Sequence, residues 1–313
     1  ITATSAPTAA NSVGITILAG HSITSSASVS ADQLTIQTGG SLEMTNNALT
    51  ISNGTGTDVT VETGATLLLS GTSTMTVNAS AAIQVDGLYK VSSTAAPVVT
   101  ASGTTTIGAT GTYEHARDAG IIPTCTWATG STCLITGTGN NAPTGLAQSF
   151  DHFTVNTTLT NSVNCSGLLQ TVNGKLKITT NDASFGWRLT GTTNYTLNVA
   201  DSLIITNGIL DIASGGATGT INANGPIIMN GSSSQLTKTG AAAMVINCNS
   251  NLVQNAGVIE FNAGGSSNTT WNIKGDVVQG GTIQRTNGGT HTLNFNKASG
   301  TQTWTQTGSF GTG

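Results

Sequence analysis

The densest run of titratable side chains is Tyr113-Glu-His-Ala-Arg-Asp118, and a second pair, Asp151-His152, follows it. Glu114, His115, Asp118, Asp151 and His152 are the residue types of general acid–base catalysis. Tyr113 and Trp127 add aromatic surface on which a ligand can rest. These seven are the candidate binding residues of the chain. The other acids fall singly, at Asp32, Glu43, Asp58, Glu62, Asp86, Asp182, Asp201, Asp211, Glu260 and Asp276. Glycoside hydrolysis and Ca²⁺-assisted lysis need converging carboxylates. Glu43 shares its phase with Leu68 one repeat later, so no acidic ladder forms there. The Ca²⁺-binding nonapeptide GGxGxDxUx is absent. The glycine-containing stretch Thr55-Gly-Thr-Asp58 is not followed by the Lys-Ser/Thr of a phosphate loop. Nothing places a Ser-His-Asp triad. The expectation is a protein that is not an enzyme and that uses no metal and no cofactor.

Four cysteines remain, Cys125, Cys133, Cys165 and Cys248, with no CxxC pair to suggest zinc or redox work. Cys125 and Cys133 bracket TWATGST, which reads as a hairpin with a Thr-Gly turn, and they are the disulfide candidates in an oxidising compartment. The bland alternative is four small buried side chains. Cys248 sits in INCNSN at a core-like phase and reads as a buried thiol.

Only 7% of the residues are charged and the net charge is −4, against about 25% charged in an ordinary domain. The first basic residue is Lys90. Nucleic acid needs a basic stripe, so that partner is excluded. No apolar run approaches the ~20 residues that span a bilayer. No signal peptide precedes Ile1, so the chain reads as a mature product or an excised fragment. A Thr/Ser/Asn surface with little charge suits a secreted protein.

The elements that position all of this are short and periodic. Apolar-x-apolar triplets start at Leu34, Leu42, Leu49, Val59, Leu67, Met75 and Ile83, and every third recurs after 24 to 26 residues. The turns Thr38-Gly-Gly-Ser41 and Thr63-Gly-Ala-Thr66 recur in the same phase. The second half repeats the pattern: Leu197-Asn-Val199, Ile221-Asn-Ala223, Ile246-Asn-Cys248 and Trp271-Asn-Ile273 mark one strand position. Leu203, Ile227, Leu252 and Val277 mark the next, and Leu210, Leu236, Ile259 and Ile283 the third. Three strands per turn of about 25 residues predict an all-β parallel β-helix, a three-sided β-solenoid. In Leu34-Thr35-Ile36 the outer residues point inward and Thr35 outward, because side chains alternate along a strand. A string of small β-sandwiches would need more than the 4% aromatic residues present.

Between about 90 and 170 the rhythm falters. This stretch holds Pro97, Pro123 and Pro143, three of the cysteines, Phe150 and Phe153. The organisation expected is 1–90, a solenoid block; 91–170, an irregular Cys/Pro-containing insertion or altered coils; and 171–313, a second solenoid block. Loops carry function more often than scaffolds, which makes 91–170 the place to look for a site.

The stretch GTYEHARDAGIIPTCTWATGSTCLITGTGNNAPTGLAQSFDHFTVN resembles a module of large repetitive cell-surface proteins of Bacteroidetes exported by the type IX secretion system. The resemblance continues through LLQTVNGKLKITT, WRLTGTTNYTLNVADSLIITNGILDIASGGATGTINANG and TLNFNKASGTQTWTQTG, over roughly residues 110–310. It implies display on the cell surface and a role in adhesion or envelope architecture, and it supplies no catalytic residues. Such proteins end in a sorting domain; the chain stops at Gly311-Thr-Gly313 without one, as a processed product or a fragment would. Asp201-Ser202-Leu203 fits a short O-glycosylation pattern of that phylum.

The expected function is an extracellular, non-catalytic structural or adhesive solenoid, a building block of a surface filament or stalk. Its expected partners are its own kind, stacked end to end, or further repeats of a longer chain, together with glycans. Neither end shows a polar cap: Val13-Gly-Ile-Thr-Ile-Leu already looks like coil sequence, and Trp304 and Phe310 fall in a strand-like stretch. The alternatives are a polysaccharide-binding or polysaccharide-degrading β-helix and ice binding. Polysaccharide binding would use exposed Trp127, Trp187, Trp271 or Trp304. Ice binding would use Thr-x-Thr pairs, which occur at Thr2–Thr4 and Thr74–Thr76 but do not recur in phase.

Overall fold

The computed structural model describes residues 14–96, 99–190 and 193–311; Thr2–Thr4 and Pro97 lie outside them. Among the described residues there is no helix, and parallel strands stack as a β-solenoid. The chain divides into two compact units, 1–137 and 138–313.

The first unit has three faces. One is a six-stranded sheet of Ile15–Ile17, Leu34–Ile36, Val59–Val61, Ala82–Val85, Thr104–Ile107 and Thr126–Trp127. The second stacks Ser22–Ser25, Ser41–Thr45, Thr66–Ser70, Leu88–Val91, Thr112–His115 and Thr132–Ile135. The third has four strands, from Val29–Ala31 to Val99–Ala101. The register is the one the triplets predict: Leu34 pairs with Val59 and Val59 with Ile83, Leu42 with Leu67, and Leu49 with Met75. These residues are buried, while Thr35 and Thr60 lie on the outer side and are partly exposed. Parallel stacking at about 4.8 Å pairs each strand's backbone with the coils before and after it. The apolar outer residues of each triplet thereby become continuous internal columns. The paired turns are in phase too: Gly39 and Gly64 have φ of +77° and +78°, a conformation that favours glycine.

The second unit repeats the plan. A seven-stranded sheet runs from Ser149–Phe150 through Thr171–Val172, Tyr195–Val199, Gly219–Ala223, Met244–Cys248 and Thr269–Ile273 to His291–Phe295. Leu203, Ile227, Leu252 and Val277 share one internal column, and Leu210, Leu236, Ile259 and Ile283 another. The strand Leu203–Asp211 serves two faces by turning a corner at Gly208 (φ +74°), where any Cβ would run into Thr180.

In the first unit, coil stacking continues beyond residue 91. Tyr113 stacks on Tyr89 and Cys133 on Tyr113, one residue per coil. What changes is the third face: after His115 the chain passes through 116–125 without a strand there. The hairpin expected between Cys125 and Cys133 does not form. Thr126–Trp127 and Thr132–Ile135 belong to different faces of one coil, each pairing in parallel with the coil before. Cys133 is a buried thiol, so the structure does not join it to Cys125.

Candidate functional site

Strand Thr112–His115 positions the predicted cluster. Its alternation sends Tyr113 and His115 inward and Glu114 to the other side, so the neighbours in sequence do not form an acid–base pair. Tyr113 is fully buried, packed edge-on against Tyr89 at 5.4 Å and against Trp127 at 6.4 Å between ring centres. His115 is fully buried as well. Its Nε2 lies 2.7 Å from the Ala119 carbonyl and must donate to it. Nδ1 is then the acceptor for the Tyr113 hydroxyl at 3.2 Å. Both ring nitrogens are thus used by a neutral imidazole, and burial holds the His115 pKa below the ordinary histidine value. Ala119, in the left-handed region at φ +53°, aims that carbonyl.

On the outer side, Glu114 accepts from Lys90 Nζ at 2.8 Å and from Thr136 Oγ1 at 2.7 Å, tying three successive coils together. Asp118 is exposed on the loop after the strand. Burial raises the Cys133 thiol and pushes Cys125 up to about 12, which keeps both away from the reactive thiolate form.

Asp151 and His152 belong to the second unit. Asp151 is buried, with Oδ2 3.6 Å from His152 Nε2, and His152 Nδ1 accepts the Lys175 amide at 2.9 Å. Of the five titratable candidates, three lie in the first unit and two in the second. Among the described residues no three His, Cys, Asp or Glu side chains are grouped to hold a metal ion, and no helix is long and apolar enough to cross a membrane.

The other sequence candidates divide by burial. Trp187 and Trp271 are core residues and present no stacking surface. Trp304 is 36% exposed and lies against Phe295 at 5.3 Å and Phe310 at 5.9 Å, in the last described coil. Ser202 is buried, so its hydroxyl is not presented for glycosylation.

Two further features lie outside the residues predicted from sequence. The first is a ladder on the outer side of the seven-stranded sheet. Asn222 donates to Asn198 at 2.8 Å, Asn247 to Asn222 at 2.7 Å, Asn272 to Asn247 at 2.7 Å and Asn294 to Asn272 at 2.8 Å. Two residues earlier on each strand stand Thr196, Thr220, Val245, Thr270 and Thr292. The result is an uncharged row of Asn flanked by four Thr and one Val, for which the Asn recurring in the triplets is the sequence signal. The second is a polar corner inside the second unit. Lys238 is fully buried and donates to Gly240 O at 2.6 Å, Asn262 Oδ1 at 3.0 Å and Gly264 O at 3.1 Å. Asp211 is buried nearby, bonded by Thr239, and burial raises its pKa.

Fold and sites together define a parallel β-solenoid with long-range polar ladders. Compared with known proteins, the chain matches no protein-family model, no curated protein and no solved structure.

Proposed function

We propose that the protein is a secreted, non-catalytic structural or adhesive element of the cell surface. On this reading it is a length of filament or stalk, of the kind implied by its resemblance to type IX-exported surface proteins. The observation that carries the reading is the use made of its polar side chains. Glu114, His115, Tyr113 and the Asn198–Asn294 ladder spend their hydrogen bonds on neighbouring coils or on holding a corner. A catalytic group must instead face a substrate.

The uncharged Asn row and its flanking Thr favour a second reading, polysaccharide binding, because amides and hydroxyls in a periodic row suit sugar hydroxyls. One glycan panel separates the readings. The structural role expects neither turnover nor binding, an adhesin binds without turnover, and turnover abolished by His115→Ala and Asp151→Ala refutes both non-catalytic readings. Electron microscopy at high protein concentration reports on assembly, where only compact single particles would refute self-stacking.

A further inference from the structure

We propose that Lys238 and Asn262 condense into an intramolecular isopeptide bond that staples two adjacent coils of the second unit. The two residues stand 24 positions apart, one turn of the solenoid, and both are completely buried. Lys238 Nζ lies 3.0 Å from Asn262 Oδ1. The orientation of the amide is fixed by its other contacts. Asn262 Nδ2 donates to Gly265 O at 2.9 Å and Gly288 O at 2.5 Å, so Oδ1 must be the atom that faces the lysine. An amine and an amide carbon are thereby held one short displacement apart in a site closed to water, the proximity that turns a slow bimolecular reaction into an intramolecular one.

The three acceptors around Nζ suit the ammonium, while burial lowers the Lys238 pKa and opposes that charge; attack requires the loss of one proton, which frees the lone pair. Asp211 stands in the same corner, where burial raises its pKa and Arg188 Nε, 3.4 Å from Oδ2, opposes the rise. Asp211 is tied to this corner through Thr239, the residue after Lys238. In the reaction the Nζ lone pair forms a bond to Asn262 Cγ and the carbonyl electron pair moves onto Oδ1. When that pair returns, the Cγ–Nδ2 bond breaks. Nδ2 leaves as ammonia, carrying one hydrogen that began on Nζ. Amine plus primary amide thus becomes secondary amide plus ammonia, with no oxidant or cofactor. Gly265 O and Gly288 O hold the hydrogens of the departing nitrogen throughout.

Lys238 is otherwise a buried ammonium held by three acceptors, and mass distinguishes the two. The full chain, folded, incubated and then denatured, is weighed intact. The proposal expects a mass below that of the sequence by one ammonia. Trypsin should fail at Lys238, so that 189–274 stays in one piece, and cleavage after Glu260 should leave its two parts still joined. Lys238→Met should restore the sequence mass. If that variant does not fold, the native chain alone decides. A native chain at its sequence mass, cut normally after Lys238, overturns the proposal. That result leaves the surface role untouched, because the glycan and microscopy tests do not depend on the bond.

Discussion

Leu67 and Leu68 are chemically identical neighbours on the strand Thr66–Ser70, and the solenoid gives them opposite environments. Leu67 has no exposed surface and stacks between Leu42 and Tyr89 in an internal column. Leu68 points outward, between Glu43 and Lys90, and is partly exposed. Truncating Leu67 to Ala removes buried methyl groups and leaves a cavity that the columns above and below cannot collapse into. The expected cost is about 3 kcal/mol, within the range of about 2–5 kcal/mol for such sites. Leu68→Ala loses only a half-buried contact, and about 1 kcal/mol or less is expected from the area involved. Coils of a solenoid pack chiefly on their immediate neighbours, so the damage should stay local. Hydrogen exchange should therefore show faster opening at strands Ser41–Thr45, Thr66–Ser70 and Leu88–Val91, with exchange in the 244–273 region unchanged. Denaturant unfolding of the two variants supplies the free energies. A shift of one residue in register would exchange the two leucines. If Leu68→Ala proves as destabilising as Leu67→Ala, the inward columns are wrongly assigned.

The Asn ladder makes a graded prediction. Asn247→Ala removes a bond on each side and should cost about 1–2 kcal/mol, while Asn294→Ala removes one and should cost about half of that in the same denaturant assay. His115 makes a pH prediction. Its folded pKa is depressed, so the unfolded chain takes up a proton that the folded chain refuses. The first unit should lose stability as pH falls below about 6.5, with His115→Gln flattening that slope in thermal melts at stepped pH. Buried thiols make the last. In the native protein iodoacetamide should leave Cys133, Cys165 and Cys248 unmodified near neutral pH, and unfolding should expose them, as read by mass spectrometry.

Much of the fold was legible because its information is local. Two residues of period decide which side chains of Leu34-Thr35-Ile36 face the core, and a phase of about 25 residues decides which triplet meets which. Both can be counted along the chain, and the pairings Leu42 with Leu67 and Leu252 with Val277 follow directly. The same period of two places Glu114 and His115 on opposite sides of their sheet.

Only the tertiary structure decided what happens between coils. The cysteines bracketing TWATGST looked like the ends of a hairpin, but parallel pairing with the previous coil outcompetes pairing within the segment, and a corner replaces the turn. Lys238 stands in sequence between Thr237 and Thr239 with no motif to mark it. It is buried because the corner carbonyls of Gly240 and Gly264, brought together by stacking, require a donor that the side chain can reach. The five asparagines of the outer ladder are ordinary polar residues one at a time. They become a single hydrogen-bonded row because parallel strands in register set identical side chains one strand spacing apart, a distance that sequence separation alone does not express.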